Sequence, residues 1–253
     1  MMQDAHIHLQ DSGAEADKIL TSAKARRVGM FFCNGTSTDD WPKVKSLADS
    51  CDGVVPFFGI HPWSADRAVN GWDDILVKYL SDPKACIGEI GLDKAKKNVD
   101  FEKQREIFTR QLDIAIELRR PFAVHCVQAW DTLVEEIRRR TDKNICFMVH
   151  WFSGSPETAA ELIKLGAYIS FSPRLIYERA LKHRESFSAT PINKVLLETD
   201  YPYLPDAIAR NTQDAEKYFE WLGALYGIAA RLKNMETEAF EDKVWENGTI
   251  FLH

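Results

Sequence analysis

A (β/α)8 barrel is the fold class this sequence predicts, and three observations predict it. Eight short apolar runs rich in β-branched and aromatic residues recur along 253 residues. Longer stretches with helical spacing lie between them. Five of the seven histidines fall at or just past the ends of those runs. In such a barrel that face carries the chemistry. An open doubly wound sheet is the alternative, because alternation alone does not show closure.

The runs span residues 3–9, 28–34, 54–60, 85–90, 121–126, 144–151, 167–172 and 194–199. Their length and composition suit parallel strands buried on both faces. Between them, 101–120 places Phe101, Ile107, Phe108, Leu112, Ala115, Ile116 and Leu118 at steps of three and four, as one face of a helix requires. Leu133, Val134 and Ile137 mark a second helix over 129–140. A third, over 155–166, has Ser155 as N-cap, Pro156 at its first position and Gly166 just past its end. The segment after Pro205 reads as helical and is expected to complete the outer ring. With no linker, low-complexity tract or internal repeat, one domain over 1–253 is expected.

Composition narrows the function classes. Hydrophobic residues at 45% and charged residues at 28% are globular values and argue against disorder. The longest apolar stretch, 54–60, is far short of the ~20 residues of a membrane helix. The first residues, Met1 to His6, lack the basic and apolar regions of a secretory signal. A net charge of −6 argues against a non-specific grip on duplex nucleic acid through many phosphate contacts. A bound metal can still make a local cationic site in such a chain. Cys33, Cys51, Cys86, Cys126 and Cys146 are odd in number and form no CxxC, so free thiols and a cytoplasmic location are expected.

His6 and His8 are two apart on the first run, and period-2 alternation turns both to one face, shared by Asp4. Glu89, His125, His150 and Asp200 sit on or at the ends of other runs. A carboxylate among apolar neighbours needs a compensating partner. For Glu89 and Asp200 that partner is a salt bridge, a backbone hydrogen bond or a divalent cation. Four imidazoles and two carboxylates exceed the needs of one four-coordinate ion and suit two ions sharing a bridging carboxylate. Two such ions would activate a water and clamp the attacking and leaving oxygens of a hydrolysis. Zn, Mn, Ni, Fe and Mg all remain open as the metal. No dinucleotide-binding, Walker or GxSxG signature accompanies them. His183, in a charged helical stretch, and the terminal His253 read as solvated.

Assembled, these residues resemble the TatD family of metal-dependent hydrolases. The resemblance runs through Asp4-Ala-His6-Ile-His8-Leu9, Gly59-Ile-His61-Pro62 and Gly88-Glu89-Ile-Gly-Leu-Asp93. It continues through Gln104, Phe108, Gln111-Leu112, Pro121-Phe-Ala-Val-His125 and Val149-His150-Trp-Phe-Ser-Gly154. It closes on Tyr168-Ile-Ser170, Leu197-Glu198-Thr-Asp200-Tyr-Pro202-Tyr203, Arg210-Asn211, Asn247 and Phe251. The resemblance implies a TIM barrel in which His6, His8 and Asp200 hold one ion, His125 and His150 the other, and Glu89 bridges. It also implies that Asp200 takes a proton from the attacking water and that His61 contacts a phosphate oxygen or the leaving group.

Three positions depart from the family pattern. Trp63 stands where a second histidine usually follows His61-Pro62, either as an aromatic covering the site or as an altered substrate contact. Cys126-Val127-Gln128-Ala129 replaces a stretch that usually carries an arginine, the usual planar phosphate clamp. Lys94, Lys96 and Lys97 occupy a stretch where aromatics are usual, as a solvated face or as a substitute phosphate contact.

Three functions compete. The first is a metal-dependent 3′-5′ exonuclease acting on single-stranded DNA ends, with Trp63, Trp130, Trp151, Tyr201 and Tyr203 available for base stacking. The second is hydrolysis of an ester, lactone, amide or aminoacyl ester by the same centre. The third is a binding module without catalysis, against which the complete ligand set argues. No protein partner is implied.

Overall fold

The computed structural model describes residues 1–140, 145–203 and 214–253. Eight strands form one parallel sheet in the order β1 to β8. They are Met2–Ile7, Val28–Asn34, Val54–Phe58, Cys86–Asp93, Phe122–Val127, Phe147–Val149, Ala167–Phe171 and Val195–Leu197. The helices between them are α1 (Ala14–Ala23), α2 (Trp41–Ser50), α3 (Trp72–Tyr79), α4 (Phe101–Glu117), α5 (Trp130–Arg138), α6 (Pro156–Lys164) and α7 (Leu181–Ala189). Two more follow, α8 (Ala215–Leu232) and α9 (Thr237–Phe251). The (β/α)8 barrel is thus the fold, and the open doubly wound alternative falls.

β8 meets β1 through the Asp200 N–H donating to the His6 carbonyl at 2.9 Å and the His8 N–H to the Tyr201 carbonyl at 2.8 Å. Below them the buried Asp4 carboxylate accepts from the Thr199 N–H at 2.9 Å and from its hydroxyl at 2.6 Å. The seam between first and last strand is therefore held partly by a side chain.

The interior is filled from every strand: Ala5, Phe32, Phe57, Cys86, Ala123, Met148, Tyr168 and Leu196 form one buried cluster. Phe251 of α9 completes it, stacked on Phe32 and Phe57 and edge-on to Tyr168. The C-terminal helix therefore does more than complete the outer ring: its last turn plugs the barrel floor. A second apolar layer, including Ile7, Phe31, Phe58, Ile90, Leu92, Val124 and Phe171, lies between strands and helices.

Local signals behave as their chemistry requires. The Ser155 hydroxyl accepts from the Thr158 N–H at the start of α6, Pro156 follows, and Gly166 has φ +107°. Gly91, at φ +151°, lies so close to β5 that a Cβ would sit 1.9 Å from the His125 carbonyl oxygen. The β4–β5 contact that carries Glu89 and His125 needs glycine there. All five cysteines are free. Arg210-Asn211, the first residue of the 144–151 run and the start of the segment after Pro205 lie outside the described residues. No helix among the described residues is long and apolar enough to cross a membrane.

Candidate metal centre

His6, His8, His61, Glu89, His125, His150 and Asp200 converge at one mouth of the barrel, and all but the partly exposed His125 and Asp200 are buried. Two of them reach it by a device that strand alternation does not describe. Asp4 pairs with Phe31 and Ile7 with Cys33, so three steps on β1 match two on β2. Ile87 pairs with Phe122 and Ile90 with Val124, giving the same offset on β4. An extra residue of this kind turns two successive side chains to one face. On β1 these are Ala5 and His6, and on β4 Gly88 and Glu89; Ala5 and Gly88 meet the interior cluster. A small residue before each ligand leaves room for both to point inward.

The same offset corrects the expectation for Asp4. It does not share the His6 face, but turns toward β8 and Tyr218 of α8. It touches His6 only by accepting its backbone N–H at 3.3 Å.

The donor atoms fall into two groups divided by the Glu89 carboxylate. Glu89 Oε2 lies 3.2 Å from His6 Nε2 and 3.5 Å from His8 Nε2. Those nitrogens are 3.2 Å apart, and Asp200 Oδ1 is 3.7 and 3.3 Å from them. Glu89 Oε1 lies 2.9 Å from His125 Nδ1 and 2.8 Å from His150 Nε2, themselves 3.2 Å apart. Ligands about 2.1 Å from a common cation, at angles between octahedral and tetrahedral, stand about 3.0–3.4 Å from one another. The separations here, 2.8 to 3.7 Å, scatter about that range, so each donor group is spaced to admit a cation.

Outer contacts turn the imidazoles. His8 Nδ1 donates to the Asn34 carbonyl at 2.8 Å, which leaves the Nε2 lone pair facing the first group. His150 Nδ1 faces the Glu198 carboxylate, and His125 Nε2 faces that of Asp93, each at 3.4 Å. Carboxylates behind histidines orient metal ligands and raise their basicity. His61 is turned the other way. Its Nδ1 accepts from the Trp63 N–H at 3.1 Å, so the proton sits on Nε2, 3.3 Å from Glu89 Oε1. His61 is thereby a donor at the rim, although it lies within reach of Glu89 and His125.

Electrostatics show what the cluster demands. Burial opposes charge on Glu89 and on the five imidazoles. Even so, the imidazoles of His150, His61 and His6 hold Glu89 well below the usual carboxylate range. Against burial, Asp200 and Glu89 raise His8 to about 10, and Glu89 and Glu198 raise His150 well above its ordinary value. Burial brings His61 down to about 4. The buried carboxylates thus require positive charge here, as protonated imidazoles or as cations.

The backbone is strained at the same mouth. Trp151, next to His150, has φ +44°, and Asp200 has φ +59°. An aspartate tolerates that region, but a bulky aromatic there is uncommon, and such strain concentrates at functional sites.

Asp93 and Glu198 belong to the motifs quoted for the resemblance, which assigns them no role, and each stands behind a histidine of the cluster. The signal was available: Asp93 is four residues past Glu89 on one strand, and Glu198 precedes Asp200 by two. His183 is buried rather than solvated, because α7 lays it edge-on to Phe171, and burial lowers it to about 4. Of the stacking candidates, Tyr201 is excluded because it is fully buried against Tyr218. Trp130 packs on Phe152, whereas Trp63 and Tyr203 are exposed.

Histidines and carboxylates gathered at the strand C-terminal mouth of a (β/α)8 barrel define a class, the metal-dependent hydrolases. A family model described as TatD related DNase matches residues 3–253, and the chain belongs to that family. It is 26% identical over 252 residues to the uncharacterized metal-dependent hydrolase YabD of Bacillus subtilis (strain 168), covering 98% of this chain and 97% of that protein. It is 28% identical over 207 residues to the 3′-5′ ssDNA/RNA exonuclease TatD of Klebsiella pneumoniae (strain 342), covering 80% and 79%. The crystal structure of YjjV, a TatD homolog from Escherichia coli K12, superposes with a TM-score of 0.89 at 24% identity, covering 99% and 97%. That likeness shows the fold.

Proposed function

We propose that this protein is a phosphodiesterase that removes nucleotides from the 3′ ends of single-stranded DNA with two divalent cations bound. One observation carries the reading: the two Glu89 oxygens face separate donor groups, so one carboxylate serves both. The similarity to an exonuclease named for single-stranded DNA and RNA supports the choice of substrate.

In this reading His6, His8 and Asp200 would hold one ion and His125 and His150 the other, with Glu89 shared between the two groups. Ions held there would supply positive charge against a phosphoryl oxygen and lower the pKa of water toward neutrality. Asp200 is the least buried of the carboxylates facing the two groups and takes the proton of the attacking water. His61, neutral and protonated on Nε2, donates to a phosphate oxygen as charge builds there. Asn34, Asp93 and Glu198 keep the imidazoles turned.

A second reading, hydrolysis of a carbonyl ester or amide, is favoured by one feature: the residue after His125 is the buried Cys126, with Val127 and Gln128 next, where an arginine would clamp phosphate. Elemental analysis of purified protein, paired with turnover of 3′-labelled single-stranded oligonucleotides and of aminoacyl and aryl esters with and without chelator, separates the two. Chelator-sensitive release of mononucleotides is expected. Ester turnover without nucleotide release overturns the proposal.

A further inference from the structure

Trp63 sits at the rim in the first turn after β3, beside the second donor group. Its ring centroid is 5.2 Å from that of His61 and 6.3 Å from that of His125. It is 46% exposed, in a chain whose other large aromatics are mostly packed away. Its exposure does not mean freedom. The indole N–H donates to Asp93 Oδ2 at 2.6 Å, and the backbone N–H is fixed on His61. Asp93 Oδ1 accepts from the Ala95 N–H at 2.8 Å and the Lys96 N–H at 3.2 Å, shaping the turn after β4. That turn lays the Lys96 ammonium 4.1 Å from the indole centroid. Lys94 and Lys97 point elsewhere, to Thr132 and to the Lys94 carbonyl.

A rigid, exposed indole with a cation against it is poorly explained as packing. Burying it would contribute to stability, and leaving it in water forgoes that gain. It matches what a single-stranded nucleic acid requires, a π-face for a base next to a positive charge for the backbone. Asp93 ties this surface to His125, so the base would be placed in register with the phosphodiester at the donor groups.

We infer that Trp63 is the stacking platform for a nucleobase flanking the scissile phosphodiester, with Lys96 contacting the adjoining phosphate. The inference rests on the nucleic-acid reading above and names the residues that select the substrate.

The test is binding of a fluorescent single-stranded DNA decamer. It is measured by anisotropy in the metal-free protein and, with Mn2+, in the Asp200→Asn background. A second decamer replaces the last two 3′ nucleotides with abasic residues. Stacking on an aromatic is commonly worth ~1–3 kcal/mol per base, so Trp63→Ala should raise the Kd of the natural decamer about 5–150-fold. The same substitution should leave the abasic Kd within about twofold, and Trp63→Phe should recover most of the loss. Lys96→Ala should weaken both decamers equally and flatten the salt dependence by about 0.7, one contact's worth on a single strand. Equal effects of Trp63→Ala on both decamers, no effect on either, or no binding by the unsubstituted protein overturns the inference. If binding depends on Trp63 but the metal-loaded enzyme releases no nucleotide, the phosphodiesterase reading fails while the platform stands. Nucleotide release by wild type and Trp63→Ala at equal Kd has the opposite meaning.

Discussion

Asp4→Asn tests the seam between β1 and β8. Asp4 is fully buried and accepts from the backbone and hydroxyl of Thr199. Burial outweighs those hydrogen bonds and, with Glu198 nearby, holds its carboxyl near 7 rather than 3.8. Below pH ~3 the group is protonated in both folded and unfolded chains. As pH rises toward 7 the unfolded chain loses this proton and the folded one keeps it, so its contribution to stability falls. At about 1.4 kcal/mol per tenfold change, the displacement from 3.8 to about 7 corresponds to roughly 4 kcal/mol across that window. Asparagine presents one oxygen to the Thr199 N–H and an amide donor to its hydroxyl, and does not titrate. Urea unfolding of wild type and Asp4→Asn, in chelator from pH 4 to 8, reads the difference directly. The other titrating groups contribute to both chains and cancel. Wild type should lose roughly 4 kcal/mol relative to the variant between pH 4 and 8, nearly all of it below pH 7. A difference constant within about 1 kcal/mol would refute the account of Asp4 as a carboxyl kept protonated at the seam.

Three further outcomes follow from the geometry. Glu89→Ala should cost more activity than His61→Ala and should lower metal content, because Glu89 faces both donor groups and His61 presents a proton; elemental analysis beside turnover checks both. Asp200→Asn should reduce turnover at least about a hundredfold with the metal-free melting temperature little changed, since general base catalysis is commonly worth ~10²–10⁴-fold; a lowered melting temperature with an intact rate would make Asp200 a turn residue only. Phe251→Ala should remove the floor of the barrel and cost about 3–5 kcal/mol in urea unfolding, in line with other buried Phe→Ala changes.

The barrel and most of its mouth were legible because each rests on residue type and spacing within a short segment. The eight apolar runs became eight strands, with His150 just past the end of β6 and His125 two residues before the end of β5. The side-chain directions of β1 and β4 were not legible in the same way. Strict alternation put Asp4, His6 and His8 on one face. The offset between β1 and β2 turns Asp4 out while Ala5 and His6 turn in together. Such an offset is a relation between two strands, so a single segment shows only its trace, the small residue before each inward ligand. The same holds for His183: its helix carries charges all round, and only the neighbouring Phe171 shows why this face is covered.

The roles of Asp93 and Glu198 were hidden for a different reason. Both were visible as carboxylates close to candidate ligands, and alternation from Glu89 already turns Asp93 inward. What the segment could not show was the partner, since each faces a histidine on another strand. Asp93 also holds Trp63 and the turn bearing Lys96. A chain that places one carboxylate between a metal-ligand candidate and an exposed indole has coupled the reacting centre to its rim. On the nucleic-acid reading proposed above, substitution at Trp63 or Lys96 should therefore alter which strands are accepted, while the donor groups continue to define the chemistry.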